Sequence, residues 1–179
     1  MITKKELRQE LNEQRKNLPS EYRISADQKI FQNLISLPAY QNASMIFCFV
    51  STKNEINTHP IIEHAYHTGK SVAVPKCQKK GIMDAVQIHS FDDLENGKYG
   101  ILEPKDSCHI VAREEIDFAI VPCLSCNSEG YRIGYGGGYY DRYLANLSCE
   151  TAVVCYQEMM CDEIPVEPFD VKMDVVVTD

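Results

Sequence analysis

The chain reads as an α/β protein, a single three-layer domain spanning residues 1–179 with a mainly parallel central sheet covered on both faces. Three observations predict this. Short apolar runs recur at Met45 to Val50, Ser71 to Pro75, Asp117 to Pro122, Thr151 to Tyr156 and about 173 to 178, the pattern of strands buried on both sides. Segments of helical length and spacing separate several of them, and parallel strands require such crossovers. A cluster of glycines follows one of the runs, where loops at the carboxyl edge of such a sheet carry ligands.

The elements follow in order. Thr3 to Glu6 is a capping box, and Leu7, Leu11 and Leu18 then recur at helical spacing, so the chain opens with a helix. Lys4 and Arg8, four residues apart, share one face of it. Pro19-Ser20 breaks this helix and caps a second, which runs through Ile30, Phe31, Leu34 and Ile35 and is expected to end at Pro38. Pro60 to Lys70 is a helix between the first two strands, which makes a right-handed parallel unit. Met83 to His89 and Tyr99 to Pro104 read as extended, with a capping box at Ser90 to Asp93 between them. The strand at 117 to 122 then leads through the glycine loop to a helix over Tyr139 to Leu147.

A chain of 179 residues buries roughly 70% of its unfolded surface in one domain with a radius of gyration of about 16 Å. Its eight cysteines are scattered, several within apolar runs, and read as buried reduced thiols. The charged first twenty residues do not form a secretory signal, and no apolar run has membrane-spanning length. A cytoplasmic protein is expected, without membrane partners. The net charge of −8 argues against a nucleic-acid surface, which needs a basic face.

Residues 130 to 144 hold five of the nine glycines and five of the ten tyrosines. Glycine lets backbone approach a ligand closely, and successive amides ahead of a helix favour an anion, here phosphate. Arg132 and the run Tyr139-Tyr140-Asp141-Arg142 add a guanidinium, aromatic rings and a carboxylate able to hold a metal. Other patterns fail. A dinucleotide fingerprint beginning at Gly134 would need glycine at Tyr139, and Gly69-Lys70-Ser71 lacks the earlier glycine of a Walker loop, where His64 stands. Cys123-Leu124-Ser125-Cys126 has metal-ligand spacing but no partner pair along the chain, so a structural zinc is set aside.

Gly130-Tyr131-Arg132-Ile133-Gly134-Tyr135-Gly136-Gly137-Gly138-Tyr139-Tyr140-Asp141-Arg142 resembles the signature of the 5-formyltetrahydrofolate cyclo-ligase family. The likeness covers nearly the whole chain. Lys4 to Arg8 is similar to the family's amino-terminal nucleotide-binding helix, with Arg15 at a further arginine position. Phe49 to Thr58 is similar to its substrate segment, Gly100 to Pro104 to its Glu-Pro turn, and Pro165 to Asp174 to its carboxyl-terminal pattern.

The resemblance implies ATP-dependent conversion of 5-formyltetrahydrofolate to 5,10-methenyltetrahydrofolate, with ADP and phosphate released and the formyl oxygen phosphorylated on the way. It implies a fold similar to ribose-5-phosphate isomerases and CoA-transferases. Lys4, Lys5, Glu6, Leu7 and Arg8, with Arg132, Ile133, Gly134, Tyr135, Gly136, Gly137, Gly138, Tyr139 and Tyr140, would line the site of the co-substrate ATP. Val50 and Glu55 would bind the folate together with Tyr135 to Tyr139, and Asp141 and Asp170 would hold Mg2+. Arg132, Tyr139 and Glu55 are the residues expected to act in the reaction. A monomer with small-molecule substrates is expected.

The chain departs from the family pattern at Cys123 and Cys126-Asn127, where a glycine and a Phe-Asp pair are usual, and Asn127 cannot serve as a carboxylate. Tyr135 and Gly137 stand where some relatives carry basic residues. Fewer fixed charges then face the phosphates, which puts more weight on Arg132, Lys76 and magnesium and predicts weaker ATP binding. Two competing functions fit the same scaffold: a sugar-phosphate or acyl-CoA enzyme, and a non-catalytic nucleotide- or folate-binding module.

Overall fold

The apolar runs assemble into one sheet whose carboxyl edge gathers the candidate residues. A computed structural model describes residues 2–97 and 100–179. The helices are α1 (Lys4–Lys16), α2 (Ser20–Ile35), α3 (Pro38–Asn42), α4 (His59–His67) and α5 (Tyr139–Leu144). The strands, in chain order, are β1 (Met45–Cys48), β2 (Ser71–Cys77), β3 (Met83–Ile88), β4 (Leu94–Asn96), β5 (Leu102–Pro104), β6 (Ile110–Val111), β7 (Phe118–Val121), β8 (Ser125–Cys126), β9 (Arg132–Ile133), β10 (Glu150–Val154) and β11 (Val175–Val177).

Seven of these strands form the main sheet in the order β11-β10-β7-β1-β2-β3-β6. From β11 to β2 all pairings are parallel, as the buried runs predict. β3 instead returns antiparallel to β2, because the connection from Gln78 to Ile82 is too short for a crossover. Pro75 lies in β2 beyond the pairing with β1, which ends at Ala73, and opposite Ala85 of β3.

Side chains alternate across the sheet. Ile46, Cys48, Val72, Val74, Phe118 and Ile120 face one core, which takes Leu7 and Leu11 of α1, Ala26, Ile30 and Leu34 of α2, Tyr40 of α3 and Ile61, Ile62 and Ala65 of α4. Phe47, Ala73 and Ala119 face a second, smaller core with Met83, Ala85 and Tyr143 of α5. The three layers are therefore unequal: four helices cover one face and a single short helix the other.

Four local expectations are corrected. Pro38 opens α3 as an N-terminal residue and does not close α2, which ends at Ile35; proline's missing N–H is no loss in a first helical turn. The loop after β7 first makes a hairpin, β8 with β9, so the glycines follow a hairpin strand and not a strand of the main sheet. Their helix stops at Leu144, leaving a weaker dipole end than a helix to Leu147 would give. Tyr99 falls outside the described residues, and the expected strand there is seen as β5, paired with β4. No helix among the described residues is long and apolar enough to cross a membrane.

Candidate active site

The first turn of α1 is fixed by its capping box: Thr3 Oγ1 accepts from the Glu6 amide at 3.3 Å, and Glu6 Oε2 accepts from the Thr3 amide at 2.8 Å. The Thr3 hydroxyl, which donates to Glu6 Oε2 at 2.7 Å, and the Thr3 amide hold the Glu6 carboxyl below its ordinary value of 4.5. With the helix start fixed, Lys4 and Arg8 project from one face toward two different chain segments. Lys4 Nζ donates to Asp170 at 2.6 Å and to Glu167 at 2.6 Å. Burial works against its charge, but the two carboxylates more than offset this and raise its pKa. Arg8 Nε donates to the Gly134 carbonyl at 2.9 Å.

The glycine loop closes over the same place. Gly136 has φ of 97°, and a Cβ there would lie 3.4 Å from the Arg8 guanidinium carbon, so backbone and arginine pack directly together. Gly138 caps α5 in the left-handed region, φ 67°. Arg142 Nη1 donates to the Gly137 carbonyl at 3.0 Å and clasps the loop from below. Arg132, 8% exposed, donates to Asp141 Oδ1 at 2.9 Å and to the Val171 carbonyl at 2.9 Å. The Val171 amide donates in turn to Asp141 Oδ1. One ring of contacts thus joins α1, the hairpin, α5 and the 167–171 segment.

Glu55 reaches this ring through Tyr135. The tyrosine hydroxyl donates to Glu55 Oε1 at 3.0 Å and accepts from Arg15 Nη1 at 3.1 Å, while the Thr52 amide holds Glu55 Oε2. Tyr135 is 54% exposed as a residue, yet its hydroxyl end is enclosed. That enclosure and the Glu55 charge push its pKa well up, so it stays a donor. Val50 lies buried where the chain leaves β1.

Comparison with known proteins assigns the family. The model of the 5-formyltetrahydrofolate cyclo-ligase family matches residues 1–179. The chain belongs to that family. A mouse 5-formyltetrahydrofolate cyclo-ligase is 31% identical over 97% of this chain and 92% of its own length. The Escherichia coli strain K12 cyclo-ligase is 28% identical over 94% and 96%. The solution structure of Aquifex aeolicus 5,10-methenyltetrahydrofolate synthetase superimposes with a TM-score of 0.86 at 31% identity, covering 98% of this chain and 89% of that one.

Not every residue assigned by family resemblance stands at the surface of the site. Leu7 and Ile133 give their side chains to the core, and Glu6 is occupied as a cap, so any part of theirs in nucleotide binding falls to the backbone. Lys5 is exposed. Lys76 donates to Asp106 and to the Pro104 carbonyl, tying β2 to the Glu-Pro turn. Asn127 replaces the expected carboxylate with a turn: its Oδ1 accepts from the Tyr131 amide and closes the hairpin. Gly137 and Tyr139 belong together, because a Cβ at 137 would stand 2.8 Å from the Tyr139 ring. Tyr140 packs beside Phe47, and burial keeps its hydroxyl protonated.

Asp141 and Asp170 suit Mg2+ by donor chemistry, which favours one or two carboxylates completed by phosphate oxygens and water. Asp141 takes both its bonds on Oδ1, and no protein donor engages its Oδ2 among the described residues. Asp170 is bound on both oxygens by Lys4, which would have to turn to another anion before Asp170 could hold a metal. A recess of about 470 Å³ near Tyr40, His64 and Lys70 lies at the amino ends of β1 and β2, the edge opposite this site.

Two features were not legible beforehand. Glu167 shares Lys4 with Asp170, and nothing in its local sequence marks it. Cys155 joins Cys123 and Cys126 in a buried cluster whose sulfurs all lie within 4.8 Å of one another. Cys123 Sγ donates to the Val154 carbonyl and Cys155 Sγ to the Tyr156 carbonyl. The pairing of β10 with β7, which runs to Val153 opposite Val121, brings the segments just beyond these strands together.

Proposed function

We propose that the chain acts as a single monomeric domain in the cytoplasm, an ATP-dependent ligase that closes 5-formyltetrahydrofolate to 5,10-methenyltetrahydrofolate. The observation that carries this is that one glycine loop takes Arg8 on its Gly134 carbonyl and holds Glu55 through Tyr135, while Lys4 and Arg132 are tied beside it to the 167–171 segment and to Asp141. A sugar-phosphate or acyl-CoA enzyme has no use for the α1 cations.

A formamide oxygen is a poor leaving group. It attacks the γ-phosphorus of ATP, the bond to ADP breaks, and the oxygen leaves as phosphate when N10 attacks the formyl carbon and loses its proton. Phosphoryl transfer depends on alignment and charge stabilisation. Arg132 and the amides of Gly134 to Gly138 face the transferred group. Lys4 and Arg8 hold the remaining phosphates once Lys4 exchanges Asp170 for them. Asp141 and Asp170 would hold Mg2+, which when bound neutralises phosphate charge. Glu55 orients the pterin or receives the N10 proton, and Tyr139 stacks beside the folate.

Purified protein with 5-formyltetrahydrofolate, magnesium and ATP should yield the methenyl product by absorbance with equimolar ADP. Folded protein that yields neither would remove this reading. Chelation should abolish turnover and magnesium restore it. Glu55→Gln tests the acid itself: normal turnover would discard both of its roles.

A further inference from the structure

The strongest unassigned chemistry lies directly behind the glycine loop. Cys123 and Cys126 flank the start of the hairpin, Cys155 follows β10, and all three are buried free thiols. We propose that Cys123, Cys126 and Cys155 form a binding site for a thiophilic d10 cation, Zn2+ or Cu+, that braces the wall of the active site.

Geometry comes first. Metal–sulfur bonds of about 2.3 Å place sulfurs about 3.8 to 4.0 Å apart in tetrahedral or trigonal sites. Sulfurs already within 4.8 Å of one another need only a small contraction. All three are buried on the segments that follow β7 and β10, which limits their movement, and soft ligands without water select soft cations.

Charge supplies the second, independent argument. Arg15 is 5% exposed and donates to the Cys123 and Leu124 carbonyls at 2.7 and 3.0 Å. Among the described residues no carboxylate pairs with it, and its buried Nε has no partner. A buried guanidinium without an anion is costly. Three thiolates around Zn2+ carry one net negative charge, which Arg15 balances. Binding releases the thiol protons to solvent, with no change of oxidation state. Zinc prefers a fourth ligand; Cys161 enters this neighbourhood through its amide, which donates to the Cys126 carbonyl. Cu+ would be content with three.

The site connects to the reaction. Arg15 carries Tyr135, and Tyr135 carries Glu55. A cation there would stiffen the folate side of the pocket without touching substrate.

The test uses the full chain, reduced and stripped of metal, titrated separately with Zn2+, Cd2+ and Cu+ against a chromophoric chelator. One metal per chain, bound more tightly than about 0.1 µM, is expected, with an ultraviolet thiolate charge-transfer band for Cd2+. Cys155→Ser should weaken it at least ~100-fold, whereas the double variant Cys77→Ser, Cys108→Ser should bind as the parent does. The Zn2+ and Cu+ arms tell a four-ligand from a three-ligand centre. No metal retained against chelator, or unchanged affinity in Cys155→Ser, would overturn the site. Should that variant fail to fold, alkylation rates of the three cysteines in the parent chain under sub-denaturing urea decide. Slowing by metal supports the site and equal rates reject it. Because the readout is metal binding, the result stands apart from whether the chain turns over folate.

Discussion

The rim of the glycine loop and the floor behind it are both held by buried or half-buried cations, but in opposite ways. On the rim Lys4 and Arg132 already have carboxylates, Asp170 and Asp141, and Arg8 rests on the Gly134 carbonyl. On the floor Arg15 has only carbonyls and a tyrosine. Paired charges can exchange partners when phosphate and metal arrive together, since each ion leaves one counterion for another. A cation held by neutral dipoles has no such exchange and serves to fix position. The comparison therefore separates residues that change partners during binding from residues that do not.

The largest effect should come from Arg132→Ala. Losing a donor to the transferred phosphoryl group should lower kcat/KM by about 10³-fold, and steady-state kinetics in both substrates measures it. Arg132→Lys should recover only part, since the fork to Asp141 and Val171 is lost. Arg15→Met should instead act on stability, costing about 2 to 3 kcal/mol in denaturant unfolding for the lost carbonyl bonds, with kcat little changed. An equal collapse of kcat in both variants would erase the distinction between rim and floor.

Asp170→Asn leaves Lys4 to Glu167 and removes one proposed Mg2+ ligand, so the magnesium needed for half-maximal rate should rise roughly 10- to 100-fold while the KM for ATP stays within a few-fold. Tyr135→Phe removes one hydrogen bond to Glu55 and should raise the folate KM about fivefold, near 1 kcal/mol, with kcat preserved. The smallest effect concerns the cap of α1. Because Glu6 has its carboxyl held below the ordinary 4.5, its contribution is complete above that pH and is lost as pH falls through the lowered value. Hydrogen exchange of the α1 amides should speed up in that acid window, and less so in Glu6→Gln, which keeps the cap uncharged.

Gly137→Lys would not test loop charge cleanly, because the new side chain must first displace Tyr139. A variant that binds ATP more weakly for that reason says nothing of the missing cation.

Much of this was legible along the chain. The capping box at Thr3, the apolar runs of β1, β2, β7 and β10, and the glycine loop depend on neighbours a few residues away. Pro38 was misplaced because proline ends one helix and begins another with equal ease, and only the chain direction beyond Leu37 decides. The hairpin between β7 and the loop was missed because two-residue strands leave no periodicity to read.

What the amino-acid sequence determined by itself is therefore local: which segments are strands or helices, where backbone is free to approach an anion, and a family signature confined to contiguous residues. Which cation meets which carboxylate, and that Cys155 completes a cluster begun by Cys123 and Cys126, was decided only by the tertiary structure. The reason is physical. Strand order and register are set by burying both faces of the sheet at once, and that constraint acts between residues with no proximity along the chain.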